Sequence, residues 1–239
     1  MGKIIKRIIA CSDFHVPYYS ERAVVALLNV LAHYHVDLLI ICGDFLDMYG
    51  VSKYIKLKTS WEDQLQYEFD SGKGLLKRIR EVYKGRIIYI EGNHEFRLTK
   101  YLATDGKALS TLRCLTIQQQ LNLDELGVEY VDSIDGNGLY YFMDNLLFNH
   151  GKVVRKHSSF SAKAAFEDQP INQVMGHTHR IGCFYKTVRG KTAKSWEIGC
   201  MCDLDESFIA NPNWQNGFLE IYLDETYPIM IPREVNYGK

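Results

Sequence analysis

Five times along this chain a short aliphatic run breaks off into a cluster of Asp, Asn, His and Gly. Arg7-Ile8-Ile9-Ala10-Cys11 leads into Ser12-Asp13-Phe14-His15, and Leu38-Leu39-Ile40-Ile41-Cys42 into Gly43-Asp44-Phe45-Leu46-Asp47. Ile87-Ile88-Tyr89-Ile90 leads into Glu91-Gly92-Asn93-His94-Glu95, Leu146-Leu147-Phe148 into Asn149-His150-Gly151, and Ile171-Asn172-Gln173-Val174-Met175 into Gly176-His177-Thr178-His179. Short runs rich in Ile, Val and Leu read as strands buried on both faces. Helical stretches are expected between the early runs: 20–34, with Ser20 as N-cap and Ala23, Leu27, Leu28 and Leu31 on one face; 61–83, broken near Gly72 and Gly74; and 106–121. Strands alternating with helices imply an α/β sheet, whose ligands gather beyond the carboxyl ends of its strands. Five polar clusters in register across such a sheet converge on one place. The last third reads as strands at 183–189, 193–200 and 217–223, a second and more antiparallel sheet. The expected fold is an α/β two-sheet sandwich flanked by helices, one domain over 1–239.

A formal net charge of -1 excludes a global basic field for recruiting nucleic acid, so an anionic partner must be attracted locally. A hydrophobic content of 46% suffices for a core of this size. No apolar run approaches the ~20 residues that span a bilayer. The stretch after Met1-Gly2-Lys3 is too short and interrupted for a signal peptide, and Lys6 stands where a myristoylation motif needs Ser or Thr. Cys11, Cys42, Cys114, Cys183, Cys200 and Cys202 include no C-x-x-C pair, which favours buried thiols in a reducing cytoplasm; Cys200-Met201-Cys202 is the one pair spaced for a metal.

The clusters offer Asp13, His15, Asp44, Asp47, Asn93, His94, His150, His177 and His179. Hard oxygen donors mixed with imidazoles suit Mn²⁺, Fe, Zn²⁺ or Ni²⁺ better than Mg²⁺ or Ca²⁺. Two ions need about eight donors, and one carboxylate can bridge them.

The series Asp13-x-His15, Gly43-Asp44-x-x-Asp47, Gly92-Asn93-His94-Glu95, His150 and Gly176-His177-x-His179 resembles the calcineurin-like metallophosphoesterase superfamily, with all five signature blocks in order over residues 11–180. The short length and the Asn211-Pro212-Asn213-Trp214…Gly217-Phe218 tail are similar to small phage and bacterial phosphoesterases. The resemblance implies two divalent ions, with Mn favoured. Asp13, His15 and His179 would hold the first, Asn93, His150 and His177 the second, and Asp44 would bridge. It also implies a metal-bridging hydroxide as nucleophile and His94 as general acid. Asp47 would accept a hydrogen bond from His94, or else cap a helix. Glu95 reads as a supporting or capping residue, and His33, His35 and His157 as bystanders. In the serine/threonine phosphatase branch an Arg follows the second Asp of the second block and clamps phosphate; here Met48 takes that position. Arg97, Arg155 and Arg180, with Lys152 and Lys156, lie near the blocks as substitutes or as surface charges. The expected activity is phosphate-ester hydrolysis, with phosphodiesters, among them nucleic acids or nucleotides, ahead of monoesters. The alternatives are a protein-binding scaffold and a phosphoprotein phosphatase. The substrate is not readable.

Overall fold

The computed structural model describes residues 7–53, 65–204, 212–223 and 228–235. Strands β1 (Arg7–Cys11), β2 (Leu38–Cys42), β3 (Arg86–Ile90) and β4 (Val128–Val131) lie side by side and parallel, with Ile9 opposite Leu39 and Leu39 opposite Ile87. Both faces of this sheet are covered at its centre, which is why Ile8–Cys11, Leu38–Cys42 and Ile87–Ile90 are apolar at every position, while Arg7, Arg86 and Glu129 lie at the start of β1, the start of β3 and on the outermost of these four strands. Ile9, Cys11, Leu39, Ile41, Ile87 and Tyr89 pack in one core cluster with the helices; Ile8, Ala10, Leu38, Ile40, Ile88 and Ile90 pack in another with the second sheet. Each such aliphatic side chain contributes roughly 1.5–3 kcal/mol on burial.

Helix α1 (Glu21–His33) starts where expected: the Ser20 hydroxyl accepts from Ala23 N at 3.4 Å, and Ala23, Val24, Leu27 and Leu31 are buried while Leu28 is half-buried. Helix α2 (Leu65–Val82) runs unbroken through Gly72 and Gly74, correcting the expected interruption; residues 61–64 lie outside the described residues. A Cβ on Gly72 would come within 2.7 Å of Leu46, so this glycine marks close packing. The expected helix over 106–121 is also corrected. Helix α3 (Phe96–Thr104) stops before Gly106, whose N–H bonds Tyr101 O, and a separate short helix α4 (Ile117–Gln120) follows Thr116, which caps Gln119 N. Leu109 and Leu112 between them are each 47% exposed and bury no helical face.

The second sheet contains β5 (Leu139–Phe142), β6 (Leu146–Asn149), β7 (Asn172–Met175), β8 (Ile181–Val188) and β9 (Lys191–Ile198), in the order β5-β6-β7-β9-β8. It is mixed: β6, β7 and β9 are parallel, and β5 and β8 are antiparallel at its edges. Helix α5 (Phe160–Asp168), absent from the sequence expectations, covers its outer face through Phe166 against Phe184 at 5.6 Å. The segment 217–223 does not join this sheet. It forms β10 (Gly217–Leu223), antiparallel to β1, with β11 (Pro228–Glu234) outside it. Alternation alone does not say which edge a late strand extends.

The five polar clusters therefore divide between two sheets. Three follow β1, β2 and β3, and two follow β6 and β7. They meet across the sandwich: His150 Nδ1 is 2.9 Å from Cys42 O, and Asp13 Oδ2 accepts from His177 N at 2.9 Å.

Candidate metal centre

Asp13, His15, Asp44, His177 and His179 all have positive φ, between 48° and 68°. Non-glycine residues rarely adopt this region, and strain of this kind clusters at functional sites. Here it turns each side chain sharply out of its strand end. Two glycines allow the segments to close up. A Cβ on Gly92 would overlap Asp44 Oδ1, and one on Gly176 would overlap Ser12 Oγ.

Four close donor groups result among the described residues, and two of them consist wholly of the expected ligands. In one, His15 Nε2 and His179 Nε2 face each other at 3.1 Å, with Asp13 Oδ1 3.3 Å from His179 Nε2 and 3.9 Å from His15 Nε2. Asp13 is fully buried, and its Oδ1 makes no hydrogen bond among the described residues. A buried carboxylate oxygen without a donor is costly. Two ring nitrogens at this spacing share at most one proton. A cation would satisfy all three atoms. In the other group, His150 Nε2 lies 3.1 Å from Asp44 Oδ2 and 3.0 Å from Asn93 Oδ1, and its ring packs 5.0 Å from that of His177. With the Cys42 carbonyl taking the Nδ1 proton, His150 aims Nε2 at Asp44 and Asn93, where a metal ion would take the place of the Nε2 proton. Asp44, His150 and His177 lie close enough to share one ion, as do Asp13, His15 and His179.

The electrostatics separate the histidines. Burial disfavours a charged His150, but the charge and hydrogen bond of Asp44, aided by Asp13, outweigh it and raise its pKa to about 10. For His179 burial is likewise overcome, by Asp13 with help from Cys202, and the value also rises to about 10. Burial, reinforced by His150, pushes His177 down to about 4. The carboxyls of Asp13 and Asp44 resist burial through the surrounding histidines and stay below the usual range.

The sequence model of the calcineurin-like phosphoesterase family matches residues 6–198. The chain belongs to that family. It is a metallophosphoesterase, a hydrolase of phosphate esters whose family implies divalent metal ions, and the donor groups fit that chemistry. It is also similar to the Gene 54 proteins of Mycobacterium phages L5 and D29, each 25% identical over 244 residues, covering 95% of this chain and 93% of the relative. Among solved structures it is similar to zinc-complexed Vps29 from Entamoeba histolytica, at 12% identity and TM-score 0.45, covering 96% of this chain and 99% of that one. It is similar to the nuclease MPE of Pseudomonas putida at 13% identity and TM-score 0.41, covering 94% and 87%.

In this metallophosphoesterase His94 borders both groups, close enough to His15 and Asp44 to share an ion with them. Its Nε2 is 3.7 Å from Asp44 Oδ2, and its Nδ1 donates to the Asp47 backbone carbonyl at 2.7 Å. The Asp47 carboxylate reaches His94, as expected, and also His15. Its Oδ1 is 3.0 Å from His15 Nδ1 and 3.4 Å from His94 Nδ1, so it holds His15 first. These two histidines keep the Asp47 carboxyl ionised against its burial. Arg97 sits one turn along, with Nη1 donating to Asp47 O and Nη2 to His94 Nε2, both at 2.8 Å. A guanidinium only donates, so in this contact His94 Nε2 accepts and Nδ1 is the ring nitrogen that donates. Arg97 thus reaches the centre. Arg180 instead turns to the Arg155 backbone carbonyl, Arg155 is exposed, and Lys152 pairs with Asp135. His33, His35 and His157 contact Asn29 O, Asp37 and Phe160 respectively.

Of the residues that support these side chains, the sequence reading named Glu95 but not the roles of Cys202 and Trp214. Glu95, fully buried, accepts from Asp44 N and Gly92 N at 3.0 Å, Leu46 N at 2.9 Å and Tyr89 Oη at 2.7 Å, tying two donor segments together. Its position in the block hinted at this. Cys202 and Trp214 both pack on His179, through Nδ1 at 3.8 Å and ring centroids at 4.4 Å. Cys200-Met201-Cys202 read as buried thiols first and a metal pair second, and both cysteines are buried; Trp214 stood in the sequence only as part of the tail similar to small phosphoesterases.

Proposed function

We propose that this chain is a two-metal phosphoesterase that prefers phosphodiesters. The observation that carries the reading is the pair of buried donor groups meeting at Asp44, one of them with an orphaned carboxylate oxygen on Asp13. Asp13, His15 and His179 would hold one ion, Asn93, His150 and His177 the other, and Asp44 both. Divalent ions at such a site polarise a phosphoryl oxygen and lower the pKa of water, and Mn²⁺ suits this donor mixture.

The chain's own residues do the rest. Arg97 is the one arginine of the candidates that contacts both His94 and Asp47. Turning its guanidinium onto a substrate phosphate would free His94 Nε2 to take a proton from solvent water and pass it to the leaving oxygen. Asp47 holds His15, and through its carbonyl it aims His94. Met48 is fully buried, so no arginine is fixed at the position that clamps phosphate in the protein phosphatase branch. A site with one adaptable guanidinium favours the single charge of a diester over the double charge of a monoester. Nucleic acid or nucleotides are the diesters most in keeping with the neighbouring Lys156 and Arg155, which are exposed.

One experiment tests this. Rates with Mn²⁺ are measured for native protein and His94→Ala on a nitrophenyl monoester, a bis-nitrophenyl diester and single-stranded DNA. The native protein should prefer diesters. His94→Ala should lose ~10²–10⁴-fold on DNA, whose alkoxide leaving group needs a proton, and far less on nitrophenyl esters. Turnover of the monoester alone, or equal loss on every substrate, contradicts the reading.

A further inference from the structure

The Nδ1 of His179 points away from the donor group, into a pocket of sulfur. Cys202 Sγ is 3.8 Å from it, and Cys202 and Cys200 are at most 1% exposed. The cysteine loop is itself anchored. Asn216 Nδ2 donates to Cys202 O at 2.7 Å, to Cys200 O at 3.2 Å and to Cys200 Sγ at 3.7 Å. The Trp214 ring lies against the imidazole, and Gln215 N donates to His179 O at 2.9 Å. Loop 199–203 and segment 214–216 therefore grip His179 at its backbone, on one ring face and at the nitrogen that faces away from Asp13.

A metal-binding imidazole needs its second nitrogen to hold a proton and give it to an acceptor, because that fixes both the tautomer and the direction of the lone pair. His150 has a backbone carbonyl for this purpose, at 2.9 Å. His179 has a thiol. We propose that Cys202 is the positioning residue of His179: its sulfur accepts the Nδ1 proton and aims Nε2 at the point shared with Asp13 and His15. Cys202 touches no substrate and acts only through His179. Sulfur is a weak, distant acceptor compared with a carbonyl. The ion on the Asp13 side is accordingly the more weakly held of the two, and its retention depends on an unmodified thiol at Cys202. This inference rests on His179 being a metal ligand, as in the reading above.

Cobalt titration of chelator-stripped protein tests it without any turnover, using ion uptake and the visible and near-ultraviolet spectra. Native protein should take up two Co²⁺ in unequal steps, with no sulfur-to-cobalt charge-transfer band. Cys202→Ala should weaken the looser step by ~10–100-fold and leave the tighter step unchanged. Cys202→Ser, which restores an acceptor, should recover much of that loss, and Cys200→Ala should change little. His179→Ala should abolish the looser step, which checks the underlying reading separately. Thermal melting of each stripped variant checks folding, and the native spectrum carries the test should Cys202→Ala not fold. Unchanged affinity in Cys202→Ala overturns the proposal. So does a native charge-transfer band that Cys202→Ala abolishes, since the sulfur would then be a ligand itself. A native protein that takes up no cobalt removes both readings.

Discussion

His150 and His179 sit at the basic end of the imidazole range, with pKa values raised to about 10, and His177 at the acidic end, near 4. Their difference has a sign that calorimetry reads. A raised histidine binds its proton in the folded chain at pH 7–8, where an ordinary imidazole, near 6.5, has largely lost it. The stabilisation from His150 and His179 is thus complete below about pH 6.5 and fades as pH rises toward 10. Metal ligation requires the neutral ring, so metal must displace these protons whereas His177 has none to lose. Mn²⁺ titration of stripped protein at pH 7.5, in buffers of different ionisation heat, should show protons released and an affinity that increases with pH. Heats independent of the buffer would contradict this. The convergence of these side chains was legible because each block joins a strand end to an Asp, Asn or His at fixed spacing. Of the residues packed behind them, Glu95 was legible as a support and the later ones were not. Cys202 and Trp214 reach His179 only because the chain returns after β9 and before β10, and no sequence period encodes that return.

At the scale of elements, the early strands and α1 were legible because an apolar run and a capping serine are local signals. The glycines of α2 misled because the same residue serves two needs. Gly74 has nothing within 4 Å of a would-be Cβ, so its flexibility only costs helix stability. Gly72 lies under Leu46 and Leu121, where an added methyl has no room without displacing buried leucines. Gly74→Ala should therefore stabilise the protein by about 1 kcal/mol. Gly72→Ala should destabilise it by about 1 kcal/mol, because overpacking of ~1–3 kcal/mol exceeds the gain in helix propensity. Denaturant midpoints of the two variants check the pair, and a shift of the same sign in both would show that α2 is not packed as described.

For the whole molecule, the two-sheet sandwich was legible but the division of the site between the sheets was not. Five strand ends in one register pointed to a single sheet. Instead the strands bearing His150, His177 and His179 belong to the sheet that packs face to face on the one bearing Asp13, Asp44 and Asn93. The site is therefore a product of the interface between sheets, and the apolar layer holding Phe148, Val174 and Ile198 against Ile40 and Ile88 sets its dimensions. It also concentrates local charge in a chain of net charge -1. Elemental analysis combined with diester turnover, on native protein, stripped protein, Mn²⁺-restored protein and Asp44→Ala, tests whether this inter-sheet centre hydrolyses phosphate esters with two metal ions. Two ions per chain and activity are expected in the native and restored forms, and neither in the stripped form or in Asp44→Ala. Full activity in excess chelator, with no metal bound, would contradict this.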